Sequence, residues 1–215
     1  MLNFYEIEKN IGYTFNDKTL LETALTHTSY TNETGTESYE RLEFLGDSIL
    51  GFIIAKNLFS LNPESNEGDL TKIRAALICE QSLSKSFIKL KLQPFLQLGI
   101  GEEKNNGREK ESILADCFES LLAAIYLDSD LDTAKAWLNK VMPPDKYDEL
   151  AQYDWKSLLY ERHFRDNIEY KISDLGHKIA ERFKVEIFIN GNLKSVGTGT
   201  TKKSAIQSAS KKAIK

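Results

Sequence analysis

The chain has 215 residues, 41 % apolar and 28 % charged, with a formal net charge of −4. That apolar share supports one large core or two small ones and excludes wholesale disorder. No uninterrupted apolar run approaches the roughly 18 residues of a bilayer span. The N-terminal Met1-Leu-Asn-Phe-Tyr-Glu-Ile-Glu has no basic segment leading into an apolar one, and two cysteines make neither a disulfide framework nor a zinc cluster. A cytoplasmic, reduced protein without membrane contact is the expectation.

In chain order, Leu20, Leu21, Thr23, Ala24 and Leu25 share a first short helix. Residues 39–59 form a second, with Leu42, Leu45, Ile49, Phe52 and Ile53 at helical spacing as its core face. Residues 69–90 read as one or two helices, 112–128 as another and 131–141 as the next. Strand signals are nearly absent before residue 150, so 1–141 is expected to be all-α. Pro143 and Pro144 open a tether, 142–153. Beyond it 155–164 is helical, Tyr170 and Ile172 and then 183–189 alternate as strands, Asn190-Gly191 signals a hairpin, 193–199 is a third strand, and 201–214 is a helix with Ala205, Ala209 and Ala213 on one face. The fold class is an all-α domain followed by a small α-β-β-β-α domain, 154–215, with two helices on one face of its sheet. Charge divides at the same place: residues 151–215 carry 13 Lys+Arg and 7 Asp+Glu, a net of +6, which leaves −10 on 1–150.

The second helix begins Glu40-Arg-Leu-Glu43-Phe-Leu-Gly-Asp47. Glu40, Glu43 and Asp47 stand at i, i+3 and i+7, hence on one face. Ile113-Leu-Ala-Asp116-Cys-Phe-Glu119 sets two more acids at i and i+3 among apolar residues, and Asn66-Glu67-Gly-Asp69 enters a helix between the two segments. One such pair is ordinarily met by Arg or Lys, or faces water. Two sets inside the most apolar helices ask for more, because buried carboxylates without partners are costly and like charges raise one another's pKa. A divalent cation resolves the repulsion. All-oxygen donors, with no His or Cys at ligand spacing, point to Mg²⁺, with Mn²⁺ as a substitute. Two such ions suit phosphodiester hydrolysis, one lowering the pKa of a bound water and the other stabilising the leaving 3′ oxygen. His27 is expected to bond locally, Cys79 and Cys117 to be small buried residues, and Lys110 to be solvated or to reach a phosphate.

Gly197-Thr-Gly199 lacks the third glycine and the βαβ frame of a nucleotide loop. Thr201 is placed to cap the closing helix, with Lys202 and Lys203 in its first turn. Lysines there oppose the helix dipole, and a phosphate at that helix end removes the conflict. The alternative is two solvated side chains.

Glu40-Arg-Leu-Glu-Phe-Leu-Gly-Asp-Ser-Ile-Leu50 resembles the signature segment of the ribonuclease III family. Ala24-Leu-Thr-His-Thr-Ser-Tyr30, Glu67-Gly-Asp-Leu-Thr-Lys-Ile-Arg-Ala75 and Lys110-Glu-Ser-Ile-Leu-Ala-Asp-Cys-Phe-Glu119 stand in the family's order, and the tail resembles a double-stranded-RNA-binding domain. The resemblance covers nearly the whole chain. It implies a metal and catalytic cluster of Glu43, Asp47, Asp116 and Glu119, with Asp47 and Glu119 as the catalytic assignments. It puts Glu40 and Glu67 at the cleft edge, in RNA contact or dimer geometry, and it implies that Phe44 projects into a socket on a second copy. A two-fold dimer would cut both strands, leaving 5′-phosphate and 3′-hydroxyl ends with short 3′ overhangs. Ribosomal RNA precursors and structured mRNA are the implied substrates.

In the tail the resemblance implies that Thr201, Lys202 and Lys203 cross the major groove of duplex RNA, while Lys156, Ser157 and Glu161 meet a minor groove, over roughly 16 base pairs and with little sequence preference. Two departures stand out. Tyr160 occupies a position where the family often has Gln. The loop Gly176-His-Lys-Ile-Ala-Glu-Arg-Phe183 displaces His177 and puts Ile179 at the family's usual His position, so weaker or differently placed contacts are expected from it. Two other functions remain open at this point, a non-cleaving duplex-RNA-binding or ribosome-associated protein and a metal-dependent phosphohydrolase of small molecules. The complete set of acids speaks against the first and the basic tail against the second.

Overall fold

The computed structural model describes residues 2–150, 154–177 and 179–214. The chain divides into two compact units, Met1–Gln152 and Tyr153–Lys215.

The first unit is helical: α1 (Phe4–Ile11), α2 (Lys18–Ala24), α3 (Thr28–Thr34), α4 (Glu40–Leu61), α5 (Glu67–Leu77), α6 (Glu80–Lys89), α7 (Ile100–Lys104), α8 (Glu111–Asp128) and α9 (Leu131–Val141). Local chemistry sets many of the ends. The side chains of Asp17, Asn66 and Asp130 accept the backbone N–H of Thr19, Asp69 and Thr133 at 2.9, 2.9 and 2.7 Å, satisfying amides that have no partner inside the helix. Strand pairing among the described residues of this unit is one parallel bridge, Thr26 to Gln97. The short helices α1, α3 and α7 are additions to the sequence reading.

Helix α8 is the hub. Ile113, Leu114, Cys117, Phe118, Leu121, Leu122 and Ile125 are all buried, so it is apolar around most of its circumference. Helices α4, α6, α2 and α9 pack on it. Helix α4 supplies Leu42, Ile49, Leu50, Ile53, Ile54 and Leu58 to the same core. Two residues depart from the expected core face: Leu45 is only half-buried and Phe52 is exposed. Residue spacing alone does not say how wide a stripe the neighbouring helix covers. By length and composition α4 also passes as a membrane span, with a third of that stretch buried. Part of its apolar content packs on α8, while Phe44, Phe52 and Phe59 stay exposed, and its first two turns carry Glu40, Glu43 and Asp47.

Residues 142–150 of the expected tether carry structure. Met142 is buried, Pro144–Lys146 form a 3-10 turn, and α10 (Tyr147–Leu150) follows. Tyr147 is buried, and its hydroxyl accepts a 2.9 Å hydrogen bond from Asn57 of α4. Residues 151–153 of the tether lie outside the described residues.

The second unit runs α11 (Trp155–Arg162), β1 (Ile168–Asp174), β2 (Phe183–Ile189), β3 (Asn192–Gly199) and α12 (Lys202–Ile214). The sheet is antiparallel in the order β1-β2-β3. Asn190 and Gly191, at φ 51° and 80°, make the β2–β3 turn, the two-residue geometry that only such residues adopt cheaply. Leu159, Val185, Ile187, Ala205, Ala209 and Ala213 form the core. Helix α12 lies on β2 and β3 with α11 beside it. Gly197 and Gly199 make that approach possible, because a Cβ there would come within 2.2 Å of the Ala209 nitrogen and 2.6 Å of the Ala205 nitrogen. These glycines, unassigned from the sequence, are packing residues.

Candidate active site and nucleic-acid interface

The acidic site is built where α4 and α8 cross. A Cβ on Gly46 would sit 2.0 Å from the backbone oxygen of Glu119. Glycine therefore lets the two backbones touch, and the contact sets Asp47, the next residue, beside Glu119. The residues on either side of this contact were legible in sequence; the role of Gly46 was not.

The four expected ligands gather there. Asp47 is exposed; Glu43, Asp116 and Glu119 are half-buried. Loss of water and the charges of Asp47, Asp116 and Glu43 push the Glu119 carboxyl up to about 8. Burial, then the charges of Asp116, Glu40 and Asp47, raise Glu43. Burial raises Asp116, partly offset by a hydrogen bond from Tyr39 and by His27. Among the described residues no Lys or Arg pairs with any of the four. Nor do three side chains meet at a common ligating point, as expected of like charges that repel. The donor set fits hard divalent cations: all oxygen, anionic, crowded and, among the described residues, without a Lys or Arg ion pair.

The outlying acids are placed differently. Glu40 is exposed, accepts a hydrogen bond from Ser38 Oγ at 3.1 Å, and its charge reaches Glu43. Glu67 heads α5, exposed, with Thr71 Oγ1 donating to it at 2.9 Å; no hydrogen bond or ion pair among the described residues joins it to the four. His27 bonds locally, its Nδ1 accepting the Ser29 N–H at 3.1 Å as the cap of α3. Cys117 is fully buried, and burial pushes its thiol up. Cys79 is not a buried residue: it is exposed at the turn from α5 into α6, its Sγ 3.3 Å from the Ala76 oxygen, because α5 ends at Leu77 before the apolar run does. Lys110 is exposed, as expected, and its Nζ pairs with Glu102 at 2.5 Å.

Two side chains unread in the sequence belong to the wall of the site. Tyr39, buried at the head of α4, donates its hydroxyl to Asp116 Oδ2 at 3.3 Å. Ser120 Oγ lies 2.7 Å from the Asp116 backbone oxygen and 3.3 Å from that of Tyr39. Phe44, 80 % exposed, projects from the same turn of α4 as the acids, with Phe52 and Phe59 also exposed further along.

In the second unit, Thr201 Oγ1 accepts the Ser204 N–H at 3.1 Å, and Ser204 Oγ accepts the Thr201 N–H at 3.0 Å. This reciprocal cap leaves Lys202 and Lys203 at the first helical positions of α12, whose N–H groups have no partner inside the helix. No acid stands in that turn. Lys202 Nζ lies 6.0 Å above the Phe183 ring. On α11, Asp154 accepts from Ser157 and Gln207, which holds its carboxyl near 2. Lys156 Nζ lies 6.0 and 5.7 Å from the ring centres of Tyr160 and Tyr170. Glu161 is exposed on the same helix. The β1–β2 loop is stapled at its base by a two-pronged Arg182–Asp174 pair, 2.7 to 3.1 Å. His177 and an exposed Ile179 lie within it.

An acidic helical unit crowded with carboxylates, joined to an α-β-β-β-α unit with a cationic helix end, is the plan of a nuclease that works on duplex nucleic acid. Residues 17–145 match the family model described as ribonuclease-III-like, and residues 155–215 match that of the double-stranded RNA binding motif. Ribonuclease 3 of Listeria welshimeri is 39 % identical over all of this chain and 97 % of its own length; that of Streptococcus pyogenes is 41 % identical over 93 % of this chain and 91 % of its own. A crystal structure of the nuclease domain of ribonuclease III from Campylobacter jejuni superposes with a TM-score of 0.63 at 39 % identity, covering 67 % of this chain and 97 % of that one. The chain belongs to the ribonuclease III family. It is an endoribonuclease acting on double-stranded RNA, and its chemistry depends on divalent metal.

Proposed function

We propose that this chain cleaves duplex RNA as a homodimer using Mg²⁺, with Mn²⁺ as a substitute, held by Glu43, Asp47, Asp116 and Glu119. One observation carries the reading: four carboxylates crowd one helix crossing with no basic partner, and Glu119 is pushed up to about 8. When bound, divalent cations there supply a water near hydroxide at neutral pH and stabilisation of the leaving 3′ oxygen. Glu119 and Asp47 flank the Gly46 contact, so the two backbones hold their carboxylates in fixed register. Glu40 and Glu67 line the cleft edge, where they limit how the duplex enters.

Lys202 and Lys203, with the amides of the first turn of α12, take up phosphates across the major groove, and Thr201 holds that turn. Lys156, Ser157 and Glu161 present polar groups to a minor groove. Phe44 seats on a second copy. Its exposure beside the acids supports this, as do Phe52 and Phe59, which share with it an arc of about 80° on α4. The Campylobacter jejuni protein is described as having a region involved in dimer formation in its nuclease domain. Two sites per dimer give 5′-phosphate and 3′-hydroxyl ends with short 3′ overhangs. Ribosomal RNA precursors and structured mRNA, met in the cytoplasm, are the substrates.

The test incubates purified protein with an end-labelled RNA duplex of a few helical turns, with Mg²⁺ or with excess chelator. Discrete shorter duplexes in the Mg²⁺ lane alone are expected, and Glu119→Gln should bind the duplex without cutting it. Cleavage in chelator, or a Glu119→Gln protein cutting at the wild-type rate, refutes the assignment.

A further inference from the structure

We propose that Tyr39 is the positioning residue for the Asp116 carboxylate, and that Ser120 locks α4 and α8 in the register at which this contact is made. The inference rests on the reading of Asp116 as a cation ligand. The Tyr39 side chain is 2 % exposed, and a buried phenol needs a partner for its hydroxyl. It finds one in Asp116 Oδ2 at 3.3 Å, and among the described residues no other side chain hydrogen-bonds that carboxylate. The contact occupies one of the two carboxylate oxygens.

The ring cannot drift from that pose. The Tyr39 N–H donates to the Thr26 oxygen at 2.9 Å. The His27 ring is tilted against the phenol at a centroid distance of 5.7 Å. The Tyr39 oxygen receives the Glu43 N–H at 2.9 Å, opening α4, and also faces Ser120 Oγ at 3.3 Å. Ser120 is fully buried and spans both backbones, reaching the Asp116 oxygen at 2.7 Å. One residue thus ties the start of the Glu43 helix, the 26–27 segment and the Asp116 carboxylate together. Hydrogen-bond partners of this kind orient a ligand, and removing one lowers metal affinity by about 10–100-fold.

Tyr39→Phe keeps the ring and removes only the hydroxyl. Titration of the full chain with Mn²⁺ alone, without RNA, should show affinity weakened by about 10-fold or more. The Mg²⁺ concentration for half-maximal cleavage should rise in step, with the rate largely recovered at saturating Mg²⁺ and metal-free duplex binding unchanged. Ser120→Ala should weaken Mn²⁺ binding in the same direction and serves as the second variant if Tyr39→Phe is poorly folded by circular dichroism. Wild-type Mn²⁺ affinity in a folded Tyr39→Phe, or in a folded Ser120→Ala where Tyr39→Phe does not fold, overturns the inference and leaves the metal reading standing. A wild-type protein that binds no Mn²⁺ overturns both.

Discussion

Gly46→Ala puts the helix crossing to the test with one added carbon. An ideal Cβ there lies 2.0 Å from the Glu119 backbone oxygen, 2.5 Å from its carbonyl carbon and 3.1 Å from its Cα. Carbon–heavy-atom contacts settle near 3.5 Å, so α4 and α8 must part locally by on the order of 1.5 Å. Alanine gains about 1 kcal/mol over glycine from helix propensity. Overpacking costs about 1–3 kcal/mol, and the atoms in the way are backbone, so the upper end applies and the clash wins. The expected net loss is about 1–2 kcal/mol, which in a unit of this size lowers Tm by about 2–8 °C. Activity should suffer more, because a shift of about 1 Å between positioned groups can cost on the order of 100-fold. Gly51→Ala is the control: it lies on the same helix, and nothing comes within 4 Å of the added carbon, so Tm should hold or rise. The assays are calorimetric melting and single-turnover cleavage of a labelled duplex at saturating Mg²⁺. A Gly46→Ala protein that melts no lower than wild type and cuts at its rate would show that the crossing does not set the site.

Three further outcomes follow from the same geometry. Folding raises the Glu119 carboxyl from its ordinary 4.5 to about 8, so the protonated form is favoured by the fold. Its stabilising contribution is complete below the unfolded pKa and is lost as pH rises through about 8; Glu43 and Asp116 shift in the same direction. Metal-free protein should therefore lose Tm between about pH 5 and 8, Mg²⁺ should restore more Tm at pH 8 than at pH 6 because it needs the ionised acids, and Glu119→Gln should flatten the profile; a metal-free Tm that climbs across this window refutes the crowding argument. Replacing Lys202 and Lys203 by Ala should weaken duplex binding and reduce the slope of log K against log salt by about 2, roughly one for each phosphate that a lysine no longer neutralises; an unchanged slope in a salt titration would place both lysines away from phosphate. Phe44→Ala should shift sedimentation toward monomer with little change in the melting of the helical unit, since the ring is 80 % exposed; an unaltered dimer would remove Phe44 from the interface.

The order of the longer helices and of the strands was readable from the chain alone; the short helices α1, α3, α7 and α10 were not. Apolar spacing marked α4, α8 and α9, Asn190-Gly191 marked the hairpin, and Ala205, Ala209 and Ala213 marked the buried face of α12. These signals are local, arising from the helical and strand periods and from the few residues that tolerate a turn. The acids of the candidate site were legible for a related reason: carboxylates in apolar helices contradict the pattern around them. What needed the third dimension was everything set by approach between distant segments. Phe52 belongs to the same periodic stripe as Ile49 and Ile53, yet it is exposed, because the partner helix covers only part of that stripe. Cys79 continues an apolar run but falls beyond the end of α5. Gly46, Gly197 and Gly199 look like ordinary glycines until a backbone is found within 3 Å of where their Cβ would stand. Tyr39 and Asp116, 77 positions apart, share no local period at all. Residue type and period decided which elements form and which side chains carry charge; tertiary packing decided which of those charges meet, because only contact between helices brings them side by side and strips the water that would otherwise screen their repulsion.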